Sequence, residues 1–108
     1  MGYCMNFDAF EQLFVPFCVT PGVDSGKARS YYLAIKYLAE FLNLPNFDDQ
    51  NARIILQKES EITDPSCNFY RQLQLWLEPR HQKSYLTKGY IQAALRYFRP
   101  FAANYHLL

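Results

Sequence analysis

The stretch from Gly26 to Leu42 constrains the fold more than any other part of this sequence. Ala28, Tyr31, Tyr32, Ile35, Leu38, Ala39 and Leu42 recur at three- and four-residue spacing, the signature of one side of an α-helix. Leu33, Tyr37 and Phe41 draw a second apolar line on another side of the same helix. A helix that is apolar on two sides needs neighbours on both, so the pattern predicts a central helix with others packed around it. Ser25 is the expected N-cap, and Asn43 with Pro45 ends the element.

The flanking segments read as further helices. Asn6 or Asp8 opens a first one through Phe10, Leu13 and Phe14, limited by Pro16. Asp48 caps a third, from Asp49 to about Lys58, with Ala52, Ile55 and Leu56 inward. Glu59 to Thr63 is polar and reads as a loop or a frayed end. Asp64 and Pro65 form an N-cap followed by proline at the first helical position. They open a fourth helix to about Leu77, with Phe69, Leu73, Trp76 and Leu77 on one side. Arg80 to Ser84 reads as a basic loop. Thr87 caps a last helix, Lys88 to Arg99, where Pro100 is expected to kink or break the chain. No useful run alternates as a strand does. The fold class is therefore all-α, a small bundle of about five helices.

At 108 residues the chain is one domain, with a flexible start at residues 1–6 and a tail at 102–108. Aromatic residues make up 18 % of it, enough to build a core and to exclude disorder over most of the length. They read mainly as core, Trp76 and Tyr31, Tyr32, Tyr37, Tyr90 and Tyr97 included, with a base-stacking pocket as the rival reading. No apolar stretch is long enough to span a membrane, and no signal peptide is evident. Three cysteines, Cys4, Cys18 and Cys67, without a paired spacing, suit free thiols in a reducing cytoplasm.

Tests for catalytic chemistry return nothing complete. Gly22 to Ala28 has the strand-to-helix look of a phosphate loop. Yet only three residues separate its glycines, Ala28 lacks the hydroxyl that holds magnesium, and Asp24 repels phosphate. No lysine has an acid two residues before it, as a metal-dependent nuclease site requires. His81 and His106 are too few and too isolated for a metal centre. Asp48 and Asp49 read as helix capping, not as an acid pair. The expectation is a chain with no catalytic residue, no metal and no cofactor.

Charge is unevenly spread. Residues 1–64 carry five basic and nine acidic side chains; residues 65–108 carry six basic ones and only Glu78 as an acid. Lys88, Gln92, Arg96 and Arg99 are spaced to form one stripe on the last helix, and Arg80 and Lys83 lie just before it. Such a stripe suits a phosphate backbone, with Gln92 available to a base edge. It equally suits the polar outer face that any amphipathic helix has.

Two segments carry a resemblance: Ser25-Gly26-Lys27-Ala28-Arg29-Ser30-Tyr31-Tyr32-Leu33-Ala34-Ile35-Lys36-Tyr37-Leu38 and Ser84-Tyr85-Leu86-Thr87-Lys88-Gly89-Tyr90-Ile91-Gln92-Ala93-Ala94-Leu95. They resemble the opening and closing helices of an N-terminal helical domain of bacterial HNH-type restriction endonucleases, over roughly residues 7–101. The resemblance implies a domain that engages target DNA or places a nuclease. It implies no individual site residue. The helical core-binding domain of tyrosine recombinases is similar in general look. Nuclease residues are missing from this chain, so a nuclease domain or subunit in trans is the expected companion.

The resulting expectation is a non-catalytic helical module of a defence system that binds double-stranded DNA. Arg80, Lys83, Lys88, Arg96 and Arg99 are the expected phosphate contacts, and Gln92 a base contact. The rival expectation is a protein-interaction or homodimerisation module with Phe98, Phe101, Tyr105, Leu107 and Leu108 exposed as an apolar patch.

Overall fold

Helical capping and burial set the order of elements in the computed structural model, which describes residues 4–105 and Leu107. Six α-helices occur among them: α1 (Phe7–Cys18), α2 (Ser25–Phe41), α3 (Asp49–Gln57), α4 (Asn68–Leu77), α5 (Ser84–Thr87) and α6 (Tyr90–Asn104). Short 3-10 turns at Glu61–Thr63 and Glu78–Arg80 precede and follow α4. The described residues contain no strand beyond two isolated bridges, so the all-α bundle expected from the periodicity is the fold. No described helix is long and apolar enough to cross a membrane.

α2 is the central element, packed between α1 and α6. Its first apolar line, with Ala28, Tyr31, Tyr32, Ile35, Leu38 and Ala39, is buried. Its second line meets other partners: Tyr37 meets Tyr85 of α5, and Phe41 meets Phe69 and Trp76 of α4. Both faces are thus used, as a two-faced helix demands. An Arg29–Glu11 ion pair joins α2 to α1 at the surface.

Phenylalanine builds the centre of the core. The Phe10 ring lies 4.1 Å from Phe47, 4.7 Å from Phe14, 5.5 Å from Phe101 and 5.9 Å from Phe98, centroid to centroid. All five rings are fully buried. Tyr31 stacks on Tyr97 and ties α2 to α6. No polar or charged residue is buried among the described residues, so packing alone shapes this interior.

Several local expectations are corrected. The cap of α2 is Asp24, not Ser25: its carboxylate accepts from the Lys27 amide at 2.8 Å, and its extended backbone leads into the helix. α4 starts at Asn68, because Asp64 spends its side chain on the Ser66 amide and hydroxyl and closes a turn instead. Glu61–Thr63 is an ordered 3-10 turn held by the buried Ile62. Ser84–Thr87, at the end of the expected basic loop, is one turn of helix. Trp76, like Tyr37, Tyr90 and Tyr97, is half-buried and packs against the core rather than inside it. Met5 is buried, and its backbone pairs with Phe47 in both directions, at 2.9 and 2.8 Å. The start of the chain is therefore anchored from Met5 onward, and residues 1–3 lie outside the described residues.

Neither proline breaks its helix. Pro16 lies inside α1 and Pro100 inside α6. Each ring faces solvent, as does the residue four positions earlier, Gln12 or Arg96, whose carbonyl loses its intrahelical donor. Water can serve that carbonyl on an exposed face. Beyond Pro100, Phe101 and Ala102 are fully buried. Burying a phenylalanine is worth about 2–3 kcal/mol, enough to offset most of the ~3 kcal/mol cost of an interior proline.

α6 begins at Gly89, with φ +79°, and not at Thr87, whose hydroxyl instead donates to the Lys83 carbonyl at 3.3 Å. A Cβ at Gly89 would meet no atom within 4 Å, so only the left-handed backbone resists substitution. Gly89→Ala is expected to lower stability by about 1–2 kcal/mol, read as a shifted urea midpoint. An unchanged midpoint would show that the α5–α6 junction can relax to an ordinary turn.

Candidate nucleic-acid interface

The six residues expected to contact nucleic acid divide into three kinds of environment. Arg80 ends the 3-10 turn after α4. Its guanidinium carbon lies 3.8 Å from the centre of the Trp76 ring, and its Nη1 donates to the Trp76 carbonyl at 2.6 Å. It therefore covers an aromatic ring and serves the carboxyl end of α4, a cation at the negative end of a helix dipole. The four-residue interval between Trp76 and Arg80 was the available signal for this contact. Pro79 hid it, by suggesting that the helical path had ended.

Lys83 and Lys88 flank α5, the first at its N-cap and the second at its C-cap. Both are exposed, as is Arg96 on α6, and none of the three has an ion pair among the described residues. The four-membered stripe is corrected at Lys88. Gly89 turns the backbone left-handed between it and α6, so only Gln92, Arg96 and Arg99 share that helix. Gln92 is half-buried. His81, in the same neighbourhood, is exposed with φ +59°; His106 lies outside the described residues.

Arg99 has a partner. Its Nη2 donates to Glu59 Oε1 at 2.9 Å, joining α6 to the segment after α3 across forty positions of chain. Beside it Arg99 lines a surface groove of about 270 Å³ together with Arg53, Leu56 and Gln57. Arg53 is exposed and has no ion pair among the described residues. It belongs to the acidic half of the sequence, and only folding brings it beside a basic residue of the other half.

The segment resembling a phosphate loop is occupied by its own carboxylate. Asp24 takes the Lys27 amide at the start of α2, the position where a phosphate oxygen would sit. The shallow hollow of about 430 Å³ beside Thr20, Gly22, Val23 and Asp24 thus presents a negative charge.

The apolar patch expected of an interaction module is corrected. Phe98, Phe101 and Leu107 are fully buried and Tyr105 is half-buried against Phe101; Leu108 lies outside the described residues. Val19 and Leu75 are the exposed large apolar side chains among the described residues.

Thiol chemistry separates the cysteines. Cys4 is exposed, Cys67 half-buried and Cys18 buried, and burial pushes the Cys18 thiol up to about 12. A thiol-specific disulfide reagent at neutral pH is expected to modify Cys4 rapidly and Cys18 only on unfolding. Between the ordinary value of 9.0 and about 12, the unfolded chain gives up the Cys18 proton while the folded chain keeps it. The folded state then binds more protons, so this group makes stability fall as pH rises through that interval. Tyr32 and Tyr37, both raised by burial, act in the same direction. Rapid modification of Cys18 in the folded protein would show that α1 opens locally.

Compared with protein-family models, with curated proteins and with solved structures, the chain matches none.

Proposed function

We propose that this chain is a non-catalytic helical module that binds double-stranded DNA, of the kind that accompanies restriction and defence nucleases. The observation that carries the reading is the set of exposed cations around α5 and α6 that have no ion pair among the described residues: Lys83, Lys88 and Arg96. The segment from residue 65 onward offers them only Glu78 as an acid. Cations left without internal partners keep their charge available for phosphate, and neutralising backbone charge is the main source of affinity for DNA. Arg99 joins them at the cost of its contact with Glu59. Arg80 contributes field more than contact, since its guanidinium is already engaged with Trp76. Gln92, half-buried on α6, is placed for a base edge only if the helix lies deep in a groove.

The partners of this reading are duplex DNA and a nuclease domain or subunit in trans, and the compartment is the cytoplasm. The test is binding to a short duplex across a salt series. Affinity that falls steeply as salt rises is the expected result. Undetectable binding at low salt, or binding indifferent to salt, removes the proposal.

A further inference from the structure

In the groove between α3 and α6, two guanidinium-bearing side chains from distant parts of the chain line a common hollow. Arg53 and Arg99 supply the cations, Gln57 an amide and Leu56 an apolar wall. Arg53 and Gln57 are four residues apart, so they project from the same side of α3. Arg99 is already turned toward a carboxylate, that of Glu59, whose side chain is 36 % exposed.

We propose that this groove is a binding subsite for a phosphate oxyanion, gripped between Arg53 and Arg99, with Glu59 as the built-in competitor for Arg99. Guanidinium pairs suit phosphate because each presents a planar fork of donors to tetrahedral oxygens. Glu59 halves the charge the site offers: one of its two cations is neutralised until an incoming phosphate replaces the carboxylate. The groove, at about 270 Å³, has more volume than a phosphate group occupies. In the setting of the proposed function, the phosphate is a backbone phosphodiester, and the DNA footprint extends past α6 onto α3. That setting rests on the DNA reading; the subsite itself does not, since a free phosphate-bearing ligand would use the same chemistry.

The test separates the two sources. Inorganic phosphate is titrated into the intact protein against chloride at matched ionic strength. The shifts of the Arg53 and Arg99 Nε–H and the Gln57 side-chain amide are followed by nuclear magnetic resonance. Saturable shifts confined to these groups are expected. Arg53→Gln is expected to weaken phosphate by about two- to fivefold and Glu59→Gln to tighten it by a similar factor, the size of one exposed ion pair. Both side chains lie at the surface, and unchanged thermal unfolding of each variant verifies that its fold is intact. The same variants are then measured on duplex DNA, where Arg53→Gln should lower the salt slope by about one.

Phosphate shifts with a reduced DNA slope support the subsite in its DNA setting. Phosphate shifts without any DNA binding support the subsite and give it to a free phosphate-bearing ligand, while the DNA reading falls. DNA binding with no phosphate shifts and an unaltered slope in Arg53→Gln overturns the subsite and leaves the DNA reading standing. Glu59→Gln that weakens phosphate overturns the competitor role.

Discussion

Replacing Phe10 with alanine is expected to remove about 3–5 kcal/mol of stability, a large part of the 5–15 kcal/mol that holds a typical domain. The magnitude follows from position. Phe10 is fully buried and its ring touches rings from α1, from the α2–α3 connection and twice from α6. Truncation at Cβ leaves a hollow bordered by Phe14, Phe47, Phe98 and Phe101. Other rings cannot fill it without leaving their own contacts, because aromatic side chains are rigid beyond two torsions. Leu75→Ala is the matched control: Leu75 is 64 % exposed, and its loss should stay within about 0.5 kcal/mol. Urea unfolding of the two variants decides the matter. Equal midpoints would mean that the ring cluster is not where the stability resides.

The second large effect is electrostatic. The combined variant Lys83→Gln, Lys88→Gln and Arg96→Gln removes three cations that have no ion pair among the described residues. If each meets a phosphate, the slope of log affinity against log salt should lessen by about 2.7, and affinity near 0.1 M salt should fall on the order of a hundredfold. Thermal stability should hold, since no internal ion pair is lost. Arg80→Gln is expected to behave differently: it uncovers Trp76 and empties the contact at the end of α4, so it should cost stability before it costs affinity. A triple variant that binds DNA with the wild-type slope would place the contact surface elsewhere on the molecule.

How much of this was legible beforehand depends on whether the deciding contact is local in sequence. α2 could be read because all its apolar positions lie within one helical pattern, and both of its faces found neighbours. The Asn6 and Asp48 caps could be read because an N-cap acts over three residues: Asn6 accepts from Ala9 and Asp48 from Asn51, each at 2.8 Å. Pro100 misled because its penalty is local while its compensation, the burial of Phe101 against α1, is tertiary. The same asymmetry hid the candidate site. Spacing identified Gln92, Arg96 and Arg99 as one face of a helix. It could not show that Arg99 reaches Glu59, nor that Arg53 lines the same groove. Gly89 was visible in the sequence, but its left-handed turn displaced Lys88 from the helix to which periodicity had assigned it.

The ring cluster around Phe10 also fixes an order of events during synthesis. Its partners Phe98 and Phe101 leave the ribosome some ninety residues after Phe10 itself. Until they emerge, α1 and α2 can form local turns but have no closed interior to hold them. Native packing of the earlier helices must therefore wait for α6, and closing so long a loop is the slow, entropically costly step in assembling a helical domain. A nascent chain stalled before Phe98 would leave Phe10, Phe14 and Phe47 without their α6 partners, making the interval before α6 emerges a period of exposure to aggregation.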